Sequence, residues 1–237
     1  MKNSTKEIIN EINTYRDESK AAFLPRFFKT GKGEYGEGDQ FIGVVVPNLR
    51  IVAKKHFEAD FDTLRELLAS PYHEYRLTAL LALTYRYAKL KDHASRETCV
   101  NFYVSQVDAI NNWDLVDLSC YKILGHWLFD KDKQLLYDWA KENHLWKQRI
   151  AMISCMHFVK QGEFKDALAI ADLLQHHPHD LIHKAVGWIL REIGKEDEQL
   201  LIDYLTPRYK EMPRTMLRYA IERFEEGKRK AFLNSMI

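Results

Sequence analysis

Apolar residues recur at helical spacing along almost the whole chain. Near the N-terminus Ile8, Ile9, Ile12 and Tyr15 fit one face of a helix, and residues 3–30 carry this pattern around a polar break. Residues 30–39 hold four of the ten glycines and predict a loop, which an extended stretch over 41–47 continues. After it, the spacing predicts helices over 48–57, 61–70, 73–90, 94–109, 112–128, 131–142, 145–161, 164–175, 179–194, 197–205 and 212–226.

The predicted helices form a tandem series of pairs. Four residues, Arg76, Trp113, Arg149 and Trp188, can be aligned with a repeat of just under ~40 residues, which is the length of a short HEAT-like helix pair. We therefore predict an all-α protein, a superhelical solenoid of tandem antiparallel helix pairs in one domain over 1–237, with the loop 30–47 inserted near the N-terminus. In such a stack, equivalent positions of successive repeats line one concave groove.

Composition narrows the class of protein without naming a partner. The net charge of +1 says little about partners, because a near-neutral total can hide a strongly basic face opposite an acidic one. Cys99, Cys120 and Cys155 lack metal-site or disulfide spacing and are expected to be buried in a reducing compartment. The N-terminal residues lack the apolar core of a signal peptide, and no apolar run approaches membrane-spanning length. We expect a cytoplasmic monomer.

Trp113 and Asp117 are the first candidate functional pair. Asn112 is a suitable N-cap, and residues at i and i+4 share one helix face, so the indole and the carboxylate can address the same volume. Together they suit a cationic group. The alternative is that Trp113 only packs and that Asp117 only complements the helix dipole.

The repeat adds Arg149 and Trp188 to this pair, because their aligned positions would meet in the groove. Basic residues on or beside the same predicted helices would contact a phosphate backbone there. The alternative is that these side chains simply lie on solvent-exposed helix faces and bind nothing. The predicted DNA-binding residues are Arg76, Lys147, Lys184, Arg191 and Arg218.

Two other motifs carry less weight. A G-x-G-x-x-G match at Gly31, Gly33 and Gly36 lacks the preceding strand and following helix of a dinucleotide site, so an ordered surface loop is favoured over a phosphate role. His179 and His183 share a helix face, but no third ligand has suitable spacing. We predict no metal site and no cofactor.

Several separated blocks of this sequence, taken in order, resemble the AlkD-type DNA alkylation repair glycosylases, a family of HEAT-like repeat proteins. The resemblance covers most of the chain. The blocks are GEYGEGDQF at 33–41 with PNLR at 47–50, NWDLVD at 112–117, WKQR at 146–149 and KAVGWILRE at 184–192. The chain departs from some members at Val45 and Val46, where they carry a polar residue before the proline, and at Phe27, near which they carry a tyrosine.

The resemblance implies a catalytic cleft lined by Trp113, Asp117, Arg149 and Trp188. It implies excision of positively charged N3- and N7-alkylated purines from double-stranded DNA, with Asp117 stabilising the oxocarbenium-like sugar and positioning water. The tryptophans would pack against the sugar and backbone, and Arg149 would hold the carboxylate ionised. It also implies a groove that grips the backbone without enclosing the base. The competing hypothesis is a non-catalytic HEAT-like scaffold that binds damaged or branched DNA, or a protein partner.

Overall fold

The computed structural model describes residues 4–236, and they are almost entirely helical. Within this range there is no strand, only an isolated bridge between Gln40 and Tyr72. The tertiary contacts fall into two compact units, Met1–Ile123 and Leu124–Ile237. No helix in the described part of the chain combines the length and the apolar character that crossing a membrane requires.

The first unit is built around one long buried helix. In chain order its helices are α1 (Thr5–Asn13), α2 (Glu18–Phe27), α3 (Val46–Lys55), α4 (Phe61–Leu68), α5 (His73–Lys89), α6 (His93–Ser105) and α7 (Trp113–Asp117). Helices α3, α4 and α7 all pack on α5. Because it is covered on several sides, α5 buries residues almost all round, including Leu77, Leu80 and Leu83.

The second unit is a stack of helix pairs. Its helices are α8 (His126–Leu128), α9 (Gln134–Lys141), α10 (Leu145–Val159), α11 (Lys165–Leu174), α12 (Asp180–Glu196), α13 (Glu198–Leu205), α14 (Arg214–Ala220) and α15 (Glu226–Leu233). Helix α9 packs on α10, α11 on α12, and α10, α12 and α14 lie side by side. A Cβ on Gly187 would lie 2.5 Å from the Met216 carbonyl oxygen, so the close approach of α12 and α14 requires a glycine there.

Most of the predicted helices exist with shifted ends, and two were wrong. The predicted helix over 112–128 is interrupted: α7 stops at Asp117, residues Tyr121–Gly125 have π-helical geometry, and α8 follows. The Ser119 hydroxyl donates to the carbonyl oxygens of Leu115 and Val116, and such side-chain bonds compete with the regular helical ladder.

The second error lies at the C-terminal end. The predicted helix over 212–226 ends at Ala220, and a separate helix, α15, begins at Glu226. The Glu225 carboxylate accepts hydrogen bonds from the backbone N–H groups of Gly227 (2.9 Å) and Lys228 (3.2 Å), which caps this new helix. The long N-terminal pattern also divides, at the polar break, into α1 and α2.

Candidate functional site

Helix α7 presents the predicted pair as its first and last residues. Asn112 precedes it, and its side-chain oxygen accepts from the Trp113 backbone N–H at 2.8 Å, so the predicted N-cap is confirmed. Leu115 and Val116 are buried, whereas Trp113 and Asp117 are only partly buried. The buried face therefore fixes the helix and leaves the indole and the carboxylate one turn apart on the accessible side.

A buried network of charged and polar groups holds α7 through Asp114 and the N-cap residue Asn112. The His73 ring, at the start of α5, bonds through Nε2 to Asp114 Oδ2 at 2.9 Å and through Nδ1 to Asp39 Oδ2 at 3.2 Å. Asp39 also accepts from Arg76 Nη2 at 2.6 Å and from Asn112 Nδ2 at 3.2 Å. All five residues are buried, so the network ties the Gly-rich loop, α5 and α7 together.

The ionised groups of this network stabilise one another in their charged forms. Burial alone would lower the pKa of His73, but the adjacent Asp114 carboxylate, helped by the hydrogen bond to Asp39, raises it to about 9. Burial alone would raise the pKa of Asp39, but the His73 hydrogen bond and the Arg76 charge leave it below its usual range. At neutral pH the site is therefore an imidazolium held between carboxylates.

Two aromatic side chains from the end of α2 and the residue after it pack against Trp113. The Phe28 ring stacks on the indole with centroids 5.3 Å apart and planes 15° apart, and the Phe27 ring meets it edge-on at 5.8 Å. Phe28 in turn lies 4.7 Å from the His73 ring and 5.0 Å from that of Phe41. The position of Trp113 is thus set by the end of α2 and by Phe28, which itself packs on His73.

The Gly-rich loop folds on its own acidic residues, as the surface-loop interpretation requires. The backbone N–H of Gly31 donates to the Glu34 carboxylate and that of Gly33 to Glu37, both at 2.8 Å, so these donors are not presented to a phosphate. The loop ends on α5, where the buried Glu74 carboxylate accepts from the N–H groups of residues 42–44. The loop therefore places the Asp39 carboxylate within hydrogen-bonding distance of His73, Arg76 and Asn112.

Arg76 lies inside this network. Only 6% of its surface is exposed, and its guanidinium bonds to Asp39 and to the Ser70 carbonyl oxygen. A side chain buried in this way has no path to a phosphate without breaking the ion pair. Arg76 therefore stabilises the fold at this position and is not one of the proposed phosphate contacts.

Sequence reasoning missed the network itself. Asp39 lies within a motif that was assigned to the loop, while His73 and Glu74 open a strongly apolar helix. The sequence did contain a signal for the network, because ionisable residues begin a helix that is apolar on all sides. Such a helix is buried, and its ionisable residues then need buried partners.

In the second unit Arg149 is a structural neighbour of the helix that carries Trp188. Its side chain is 4% exposed, and Nη1 donates to the carbonyl oxygen of Leu181, in the first turn of α12. Trp188, further along α12, is partly buried, and its Nε1 donates to Glu192 Oε1 at 3.2 Å. Arg149 thus anchors the start of α12, and Glu192 fixes the indole from the same helix.

Three of the predicted phosphate contacts in this unit have acidic partners. Lys147 Nζ lies 2.6 Å from Glu142 Oε1, Lys184 Nζ lies 2.7 Å from Asp180 Oδ2, and Arg191 bonds to Glu222. Arg218 is exposed, and none of the described residues forms an ion pair with it. The Lys184 pair is exposed and is worth about 0–1 kcal/mol, whereas Lys147 and Arg191 are partly buried.

The remaining sequence signals have ordinary structural roles. Cys99, Cys120 and Cys155 are buried, as expected. The ring nitrogens of His177 and His179 accept from backbone N–H groups at the start of α12, at 3.0 and 3.1 Å. No group of three or more metal-ligating side chains occurs among residues 4–236.

Comparisons with known proteins agree with this fold. The family model described as "DNA alkylation repair enzyme" matches residues 8–224. A solved structure from Enterococcus faecalis, described as a predicted DNA alkylation repair enzyme, is 14% identical over 89% of this chain and 97% of its own, with a TM-score of 0.68. AlkD2 from Streptococcus mutans is 15% identical over 88% of this chain and 99% of its own, with a TM-score of 0.55. No curated protein matches the chain.

Proposed function

The chain belongs to the family of DNA alkylation repair enzymes, and from that premise we propose that it is a DNA glycosylase that removes positively charged N3- and N7-alkylated purines from duplex DNA. The observation that carries the proposal is the pair on α7. Trp113 and Asp117 are accessible one turn apart on a helix whose other face is fixed by a buried ionic network. A scaffold that only binds DNA has no need of a carboxylate beside an accessible indole.

The chemistry asks for a carboxylate at this place. An N3- or N7-alkylated purine carries a positive charge, so when its bond to C1′ breaks the electron pair neutralises the departing base. The sugar is left as an oxocarbenium-like cation, which the Asp117 carboxylate stabilises. Water then adds to C1′ and passes its proton to Asp117, leaving a free base and an abasic site.

We propose a separate role for each tryptophan. The indole face of Trp113 attracts a cation within about 6 Å of its ring. Trp188 would pack against the sugar and backbone of the lesion. We give Arg149 a positioning role, because its bond to Leu181 fixes the first turn of the helix that carries Trp188.

Backbone contacts would come from cations that exchange partners. In this proposal Lys147, Lys184 and Arg191 leave their carboxylates for phosphates, and Arg218 contacts phosphate directly. Each phosphate contact releases a counterion, so affinity falls steeply as salt rises.

The proposal is tested by incubating the protein with methylated duplex DNA and measuring the free 7-methylguanine and 3-methyladenine released. Release well above the spontaneous rate, measured with heat-inactivated protein as the control, is expected. Binding to the same duplex should weaken steeply between 50 and 200 mM salt. Salt-sensitive binding by folded protein without release would contradict the glycosylase proposal and favour the non-catalytic scaffold.

A further inference from the structure

The C-terminal half of α2 carries two aromatic side chains that are largely exposed to solvent. Phe23 is 62% exposed and Phe27 52%, and their rings lie 6.4 Å apart with planes 26° apart. They occupy positions i and i+4 of α2, so both rings point to one side of it. Exposed apolar side chains that lie together, rather than singly, indicate a binding surface.

A basic rim surrounds these rings. An open depression of about 530 Å³ is lined by both phenylalanines together with Arg26, Lys29 and Glu34. Arg26 and Lys29 are exposed and have no ion-pair partner among residues 4–236, unlike Lys147, Lys184 and Arg191. Two cations against the single carboxylate of Glu34, which also accepts from the Gly31 backbone N–H, leave the rim with a net positive charge.

The backbone at Lys29 is a second, independent observation. Its φ is 56°, in the left-handed region, two residues after α2 ends at Phe27. This place after a helix is usually occupied by glycine, because a side chain there strains the backbone. A lysine in strained backbone at the edge of an aromatic surface points to a function for its side chain.

Rings flanked by cations fit a nucleotide whose base is not paired. A base stacks on the exposed face of an aromatic side chain, while its phosphates meet the basic groups beside it. We propose that the surface formed by Phe23, Arg26, Phe27 and Lys29 binds an unpaired nucleotide of damaged duplex DNA, with the base on the rings and the phosphate on Arg26 and Lys29. The inference rests on the proposed function, because it assumes that DNA is the ligand.

The surface lies next to the site described above. The Phe27 ring touches both Phe23 and Trp113, so a base stacked on Phe23 would be one ring away from the indole. A nucleotide displaced from the helix near the lesion can therefore reach this surface while Trp113 stays at the sugar. The surface would give the protein a preference for DNA that is already locally unpaired.

The test compares two labelled duplexes of equal length, one fully paired and one with a single unpaired adenine, in equilibrium binding titrations. Stacking of one base on an aromatic side chain is worth about fivefold in affinity or more, so the wild type should prefer the unpaired duplex by at least that factor. Phe23→Ala should abolish this preference and leave binding to the paired duplex almost unchanged. Ile51→Ala, which alters another exposed apolar residue of the first unit, is the matched control and should behave as wild type.

Lys29→Gly provides a readout that a structural role would not give. It removes the backbone strain, so the melting temperature should rise, while affinity for the unpaired duplex should fall. Lys32→Ala, on the same loop but outside the depression, should change neither. A lowered melting temperature in Lys29→Gly would contradict the strain argument.

The proposal would be overturned if the wild type bound both duplexes equally, or if Phe23→Ala weakened both by the same factor. The second result would indicate a surface for a protein partner or for general backbone contact. Neither duplex contains an alkylated base, so this result is independent of base release. Failure here with base release intact would leave the glycosylase standing, and success here without release would indicate a DNA-binding scaffold.

Discussion

Trp113 in the first unit and Trp188 in the second are held in contrasting ways. Trp113 depends on residues far from it in sequence: it stacks on Phe28, and Asp114 beside it bonds to His73, which bonds to Asp39. Trp188 sits in a long regular helix and bonds to Glu192, one turn away. The first indole is positioned by tertiary structure and the second by its own helix. Changes to the supports should therefore affect the first unit far more than the second.

The largest expected effect comes from removing the centre of the buried network. In His73→Leu, Asp39 and Asp114 lose their shared partner while buried, which costs about 3–5 kcal/mol of stability. Chemical denaturation measures the loss, and hydrogen exchange should show faster exchange over 112–118. His73→Gln, which keeps hydrogen-bonding groups, should lose less. Equal losses in the two variants would contradict a contribution from the hydrogen bonds at this position.

The second prediction concerns pH. The pKa of His73 is raised from 6.5 to about 9, so its protonated form contributes stability that is fully present below pH 6.5 and is lost as the pH rises through 9. A shift of this size corresponds to about 3 kcal/mol. Stability measured between pH 6.5 and 10 should fall in the wild type.

The same titration of His73→Gln isolates this contribution. Other groups titrate in both proteins, so only the difference between the two curves reports on His73. That difference should shrink as the pH rises through 9, and curves that stay parallel would show that His73 is neutral in the folded state.

The smallest effect is expected at Trp188. In Glu192→Gln the side chain can still accept a hydrogen bond from the indole, and the pairs with Lys195 and Arg191 are near the surface. The loss of stability should stay below about 1 kcal/mol. A loss as large as that in His73→Leu would remove the contrast between the two supports.

The same contrast explains what the sequence could predict. Helix positions follow from local periodicity, so α5, α10 and α12 were expected almost where they lie. Trp113 and Asp117 were expected on one helix face, because an i, i+4 relation is also local. Both predictions depend only on residues that are close together in the sequence.

Long-range placement was out of reach of such arguments. Arg76 was expected at a phosphate because its helix position aligned with Trp113, but its partner Asp39 lies on a distant loop that no periodicity describes. The break after Asp117 was missed because a Ser119 hydroxyl, and no glycine or proline, disturbs the ladder. Side-chain bonds of this kind leave no regular spacing in the sequence.

The central claim is that the Asp117 carboxylate stabilises the sugar cation, and a single-turnover measurement tests it most directly. Excision of 7-methylguanine from a defined duplex would be compared between wild type, Asp117→Asn and the control Asp62→Asn, whose side chain is 86% exposed on α4. We predict a loss of at least about 100-fold in Asp117→Asn, with unchanged affinity for DNA and wild-type rates in Asp62→Asn. Excision by folded Asp117→Asn at the wild-type rate would contradict the account.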